Sequence, residues 1–416
     1  LSAWLSNGVR VHLRTMTQKK DFVAINVRIG GGGIRETAAN KGITSAAVLP
    51  FSWKATENLT TTDIKNLMTG KKVGVGGSAG GDTINLSIGG SPEDLETGLQ
   101  LAHLLMTEPR IDPVAFKMWR EQTIQGLDKA RKDAAGNMYQ GYSAALSGND
   151  VRHRWPTNDE IKRVTVRAAE AWLRDALRTG QMEIAVVGDI DRDKAMALVL
   201  RYFGSLPKRP RIDASLVKLR KAAKLRGPIM KTIQVDAEAP LAVVRCGWRG
   251  ADRSNTIEYR TLKLASKMVG ARLRKVIREE KGLTYSHWSY SSANPSFNGM
   301  SFICSHFTAD PDKVVGAAKI ARGIIEKFAK EGPTPEELST VRLQYSNILK
   351  DSRKDPSWWA DVLCDLTLHG NDLGNIYKAE ELYTTYTRAQ IMATLKKYIL
   401  DRNFVQIIAV PMKKEK

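Results

Sequence analysis

Residues 83–89 read Thr83-Ile84-Asn85-Leu86-Ser87-Ile88-Gly89, and Ser91-Pro92 follows. Ile84, Leu86 and Ile88 alternate with polar neighbours, the period of a half-buried strand. Leu95, Leu99, Ala102 and Met106 then recur at helical spacing on one face. Ser91 suits an N-cap, and Pro92 suits the first helical position, where a missing N–H costs nothing. The same pattern returns later in the chain. Met300 to Phe307 (MSFICSHF) reads as a strand, Asp310-Pro311 opens a helix, and Val314, Ala318, Ala321, Ile325 and Phe328 form its apolar stripe.

The correspondence extends downstream. Asp112-Pro113 and Thr334-Pro335 each open a helix, and Thr334 with Glu337 has capping-box spacing. Thr165 precedes a helix leading into the strand Glu183 to Val187, and Thr387 precedes one leading into Val405 to Val410. From Ser91 to Asp310, Asp112 to Thr334, Thr165 to Thr387 and Val187 to Val410 the separations are 219, 222, 222 and 223 residues. The chain therefore reads as two tandem copies of one unit of roughly 200 residues. The fold class expected is α+β: two tandem homologous domains, each a largely antiparallel sheet with helices packed on one face. Val9 to Leu13 and Phe22 to Ile29 read as a hairpin-like pair of strands near the start. The domains are expected at 1–206 and 229–416. Between them, 207–228 reads as a basic linker with Pro207, Pro210 and Gly227-Pro228 as breakers.

Composition sets the outer bounds. With 416 residues, 42% hydrophobic and 26% charged, the chain is globular and long enough for more than one core. No apolar run reaches the ~18 residues that span a bilayer, so a soluble chain without a transmembrane segment is expected. Cys246, Cys304 and Cys364 are odd in number and far apart, which fits neither a disulfide framework nor a zinc module. Lys and Arg total 64 against 44 Asp and Glu, a net charge of +20, so a polyanion partner has to be weighed. The excess peaks between Lys208 and Lys231, where nine basic residues meet one acid, Asp213. Zinc-finger spacing and aromatic RNP-type motifs are missing, so nucleic acid is not the expected partner. A chain that opens at Leu1 rather than Met is expected to be processed or part of something longer, and its compartment cannot be read.

Three further stretches carry a family resemblance. They are Leu5-Ser6-Asn7-Gly8-Val9-Arg10-Val11, then Val27 to Glu36 (VRIGGGGIRE) with Lys41-Gly42-Ile43-Thr44, and Arg278-Glu279-Glu280-Lys281-Gly282-Leu283-Thr284-Tyr285-Ser286. Together they resemble the insulinase-type (pitrilysin-like) metallopeptidases, and the last is similar to that family's R-E-x-x-G-L-x-Y-S signature. The tandem repeat fits, because each family half is a pair of homologous α+β domains. Catalytic halves carry H-x-x-E-H just after the equivalent of Gly42-Ile43-Thr44. There two His on one helix face bind zinc, and the Glu is the general base on its water.

In this chain the matching positions hold Ser45, Val48 and Leu49. An aliphatic side chain neither ligates zinc nor takes a proton. The family's third ligand would fall near Asp128, and a site assembled from His12, His103 and Glu121 is the weaker alternative. The resemblance thus implies a non-catalytic half, with no metal in this chain and zinc expected only in a catalytic half. That half would be fused or a separate subunit, and the two would close around a peptide.

In the family, the Arg and Tyr of the signature reach across the chamber toward the partner's zinc. By motif they are Arg278 and Tyr285, expected to be substrate-binding and to complete a partner's site. A guanidinium can hold a substrate carbonyl or carboxylate by forked hydrogen bonds, and a phenol can donate to a developing oxyanion. Gly30 to Gly33 is no phosphate loop, since no G-K-[ST] follows. Val73 to Asp82 is so glycine-rich that a flexible hairpin is expected rather than a substrate-pairing edge. Trp358-Trp359, just after Asp355-Pro356-Ser357, reads as packing rather than a peptide platform. Two other functions stand beside the peptidase half: a catalytically dead assembly subunit of the same fold, similar to the core proteins of respiratory complexes, and a polyanion-binding module.

Overall fold

The computed structural model describes residues 1–221, 227–284 and 286–412. Eleven strands occur among them: β1 (Ser2–Trp4), β2 (Arg10–Thr15), β3 (Val23–Gly30), β4 (Val73–Ala79), β5 (Thr83–Gly90), β6 (Met182–Gly188), β7 (Ile229–Val235), β8 (Ala242–Arg249), β9 (His287–Ser292), β10 (Phe302–Ala309) and β11 (Phe404–Pro411). The principal helices, in chain order, are α1 (Ile43–Ala47), α2 (Leu49–Ser52), α3 (Leu95–Thr107), α4 (Pro113–Arg131), α5 (Ala134–Ser147), α6 (Val166–Thr179), α7 (Thr256–Leu273), α8 (Val314–Glu331), α9 (Pro335–Ser352), α10 (Pro356–Leu363), α11 (Leu366–His369) and α12 (Arg388–Tyr398). Among the described residues, no helix is long and apolar enough to cross a membrane.

The capping signals produce the elements they announce. Thr165 accepts from the Ala168 N–H at the start of α6, and Thr387 with Gln390 closes a capping box at α12. Thr334 and Glu337 hydrogen-bond reciprocally at α9. Both helices after the matched strands start later than the sequence suggests. Asp94, not Ser91, stands at the N-cap position of α3, without a side-chain capping bond, and α8 begins at Val314 after a turn at 311–313. The delay is the same in both halves, and all the stripe residues are buried.

The sheets share one connectivity. The first runs β1-β2-β6-β3-β5-β4 and the second β7-β11-β8-β10-β9. In each, the last strand of the half lies parallel to an early one, β6 to β2 and β11 to β7, while the other pairs are antiparallel. The hairpin-like reading of the first two strands does not hold, because β6 inserts between β2 and β3 and pairs with both. Strands this apolar need partners on both sides and both faces, and β6 is buried along its whole length.

The chain resolves into two compact units. One comprises Leu1–Ile124, Pro156–Arg220 and Leu349–Ile376, the other Gln125–Trp155, Lys221–Ile348 and Tyr377–Lys416. Thus α5 belongs with the second sheet and α10 with the first, each crossing the division that the tandem repeat draws. Their place follows from strand parity. Ile25, Ile88 and Val186 share one face of the first sheet, and α3 packs there, its Gly98 seated against Val73 and Ile88. Ala24, Ala185 and Val187 point the other way and form a core with Trp359, Ala360, Leu363 and Cys364 of the α10 segment. In the second unit, α5 seats Gly141 against Ile233 and Ile407. Most helices lie on one face, and a single segment from the other half of the sequence lies on the second.

The stretch 207–220 is integrated into the first unit rather than looping away from it. Arg209 is buried and donates to the Gly180 carbonyl, Asp213 caps a short helix and pairs with Arg35, and Arg220 pairs with Asp82 at 2.7 Å. Residues 222–226 of the expected linker lie outside the described residues.

Candidate peptide-contact site

The signature 278–286 converts a helix end into an edge strand. Helix α7, capped by Asn255, runs straight into a π-helical turn over Arg274–Glu280 that buries Ile277. The wider turn shows in the Lys281 N–H, which reaches the Val276 carbonyl at 3.1 Å. Gly282 then takes a left-handed conformation (φ 57°), where a side chain would be strained, and the Leu283 N–H folds back to the Ile277 carbonyl at 2.8 Å. Thr284 Oγ1 donates to the Thr308 carbonyl at 2.6 Å and fastens the chain beside β10 before β9 begins. Buried Ile277, just before the motif, and buried Thr284 within it anchor the turn at its two ends.

Arg278 is exposed on that turn, and its side chain has no hydrogen-bond or ion-pair partner among the described residues. Tyr285 lies outside the described residues. Of the two expected contact residues, then, the structure places one. It adds His287, which sequence reasoning missed. Its Nε2 lies 2.8 Å from the Gly270 carbonyl, and burial, with the charges of Arg274 and Arg278, pushes its pKa down. A cavity of about 480 Å³ opens here, lined among others by Lys267, Arg274, His287, Ser289 and Glu337. Glu337 is engaged by Arg272 at 2.7 Å through both oxygens. Among its lining residues no nucleophile is aligned with a base.

Ser45, Val48 and Leu49, the positions the resemblance aligns with a zinc motif, lie on and between two short helices. Gly42 (φ 92°) turns the chain into α1, and buried Glu36, paired with Lys41 at 2.9 Å, accepts the Thr44 N–H. Helix α1 stops at Val48, and Pro50 in the first turn of α2 prevents one continuous helix. Ser45 Oγ donates to the Gly42 carbonyl and accepts the Trp119 indole N–H at 3.2 Å, while Leu49 is buried. Phe51 packs on Gly77 of β4, where a Cβ would come within 2.8 Å of the ring. Val73–Ala79 is consequently a regular edge strand rather than a loose hairpin, its glycine making room for an aromatic ring.

Other candidate ligands are not brought together. Asp128 pairs with Arg131, His103 lies 2.7 Å from the Tyr202 carbonyl, and His12 is buried against Ser2 and Glu183. Among the described residues no group of three or more His, Cys, Asp or Glu could hold a metal ion.

Comparison with known proteins agrees with this architecture. Residues 163–345 match the family described as the peptidase M16 inactive domain. The chain is 22% identical over 406 residues to the probable zinc protease PqqL of Escherichia coli strain K12, covering 96% of this chain and 42% of that protein. The crystal structure of periplasmic PqqL superposes with a TM-score of 0.87 at 21% identity, over 99% of this chain and 45% of the other. A peptidase M16 inactive domain from Pseudomonas fluorescens matches end to end, 100% and 99%, with a TM-score of 0.85 at 16% identity. The ferredoxin protease FusC, solved in complex with Arabidopsis ferredoxin, gives 0.83 at 17% identity over 99% of this chain and 45% of its own. These matches support a likeness to the non-catalytic half of insulinase-type, pitrilysin-like metallopeptidases. It spans less than half the length of the curated relatives it matches.

Proposed function

We propose that this chain closes the chamber of a zinc metallopeptidase and contacts peptide substrate through Arg278 and Tyr285, beside a catalytic half fused to it or supplied as a separate subunit. The observation that supports the reading is Arg278: exposed, without a hydrogen-bond or ion-pair partner among the described residues, and set on the π-helical turn that buries Ile277. The chain is proposed to bind no zinc of its own and to cleave no peptide alone. The support is Ser45 tied to Trp119, Leu49 buried, and the helix broken between them.

The test is hydrolysis by the catalytic half with and without this chain. Addition should raise turnover. Loss of one oxyanion donor typically costs about a hundred- to a thousandfold, so Tyr285→Phe should depress turnover while leaving stability nearly unchanged. Arg278→Ala should also raise the Michaelis constant, because a clamp acts before the transition state. Both variants working within twofold of wild type would transfer the chain to the scaffold reading. Metal analysis giving one chelator-sensitive zinc per chain would end the zinc-free part of the proposal.

A further inference from the structure

The second sheet carries a cation that nothing in the peptidase reading uses. Arg245 lies on β8, is only 5% exposed, and has no carboxylate partner among the described residues. Its Nη2 donates to the Tyr290 hydroxyl at 2.7 Å and its Nε to the Cys304 sulfur at 3.3 Å. The rings of Tyr139, Tyr142, Tyr290 and Phe302 surround it, with centroids 4.3–5.4 Å from the guanidinium carbon. Ring quadrupoles attract a cation but do not neutralise it. A buried charge without a counter-ion carries a desolvation cost that an arriving anion would offset.

The surroundings of Arg245 favour a particular anion. Across the strands it stands level with His306 on β10 and Trp288 on β9. Trp288 stacks on His306, with centroids 4.8 Å apart and planes at 21°, and Tyr139 of α5 meets the imidazole edge-on. Helix α5 packs on β7, β11 and β8 but does not reach the edge strand β9, and Trp288 is 52% and Tyr139 41% exposed. Burial, reinforced by the charge of Arg245, pushes His306 down to about 4, so the imidazole is neutral near pH 7. The Tyr139 hydroxyl lies 3.3 Å from Nε2, whereas buried Nδ1 has no hydrogen-bond partner among the described residues. If Nε2 accepts from Tyr139, the proton of the neutral ring sits on Nδ1, an unused donor beside an uncompensated guanidinium.

We propose that this cluster is a carboxylate-binding subsite for peptide. Arg245 supplies charge, His306 Nδ1–H a hydrogen bond, and Trp288 with Tyr139 a platform for the chain on either side. That the occupant is a peptide rests on the function proposed above; that it is anionic rests on the charge of the cluster. Entry requires the Tyr139 or Trp288 ring to turn aside, a rotamer change open to exposed side chains.

Calorimetric titration of the whole chain, without any catalytic half, tests the inference. The probes are an acetylated, amidated alanine–serine decapeptide with one central glutamate, its glutamine counterpart, and the glutamine peptide with a free C-terminal carboxylate. The glutamate peptide should bind at least tenfold tighter than the glutamine one, and Arg245→Met should erase that preference. The free-acid peptide shows whether a terminal carboxylate serves as well as a side-chain one. Binding of the glutamate and glutamine peptides within twofold, or a preference that survives Arg245→Met, overturns the proposal. Should Arg245→Met not fold, the exposed pair Trp288→Ala and Tyr139→Ala takes its place. It should weaken the glutamate peptide at least fivefold, and unchanged binding overturns the site. Stimulation of a catalytic half without acidic-peptide binding removes this inference alone. Binding without stimulation removes only the chamber function.

Discussion

Each sheet receives one helical segment from the opposite half of the sequence, and the two receiving faces are built from different chemistry. On the first sheet the contact is charged and closed. Glu183, fully buried on β6, accepts the N–H groups of Thr367 and Leu368 at 2.9–3.0 Å and lies 2.8 Å from His12 Nε2. Beside it, Arg28 pairs with Asp361 and Asp365, and His369 lies between Asp365 and Asp82, which Arg220 also holds. On the second sheet the corresponding face has Arg245 among aromatic rings. The Tyr142 hydroxyl is buried there with no hydrogen-bond partner among the described residues, and Trp288 and Tyr139 are exposed. The same connectivity thus supports a fully paired polar lock in one unit and an under-paired aromatic pocket in the other. Pairing on this scale fixes a segment in place, whereas unmet polar capacity is what a ligand can use.

Removing a polar partner should separate the two faces most sharply. Glu183→Ala strips the first turn of α11 of its acceptor and leaves His12 Nε2 without its partner, so it should cost about 3–5 kcal/mol in urea denaturation. A loss under about 1 kcal/mol would mean that the lock is not what holds the 349–376 segment. Trp359→Ala, in the apolar part of the same contact, should cost a similar 3–5 kcal/mol through the cavity it opens.

Acidity should move the two faces in opposite directions. Burial opposes protonation of His369, but hydrogen bonds to Asp365 and Asp82 outweigh it, and the pKa is raised. Its contribution is therefore fully present below the ordinary value of about 6.5 and is lost as pH rises through the raised value. His306 is depressed to about 4, so its contribution is present above about 6.5 and is lost as pH falls toward 4. In stability–pH curves, His369→Gln should flatten the alkaline side of this window and His306→Gln the acid side. Identical effects of the two substitutions would break the contrast.

The smallest expected change is Tyr142→Phe. Deleting a buried hydroxyl that has no partner should leave stability within about 0.5 kcal/mol or raise it slightly. A loss above 1 kcal/mol would show that the hydroxyl is satisfied in solution and that the second face is better paired than its geometry indicates.

Much of this molecule is local and so could be read directly. The caps at Thr165, Thr334 and Thr387, the stripes of α3 and α8, and the strand alternation at 83–89 depend on neighbours within about one helical turn or strand period. The repeat, and the presence of Ser45, Val48 and Leu49 where the resemblance would place zinc-motif residues, needed only residue identities. Arg278 was nameable from its motif, and its exposure required the structure.

What tertiary structure alone decided lies in pairings of distant residues. Insertion of β6 between β2 and β3 joins residues more than 150 positions apart, and no local signal distinguishes it from a hairpin. The crossing of α5 and α10 between units is equally silent, because either helix would show the same apolar face to either sheet. Glu183 meets Thr367 across 184 residues, and Arg245 meets Cys304 across 59. Sequence by itself determined which segments are helix or strand and which catalytic groups are missing, because propensity, capping and ligand chemistry belong to single residues and their near neighbours. The fold decided which polar groups are paired and which are left wanting, because burial and hydrogen-bond partnership exist only once distant strands have met.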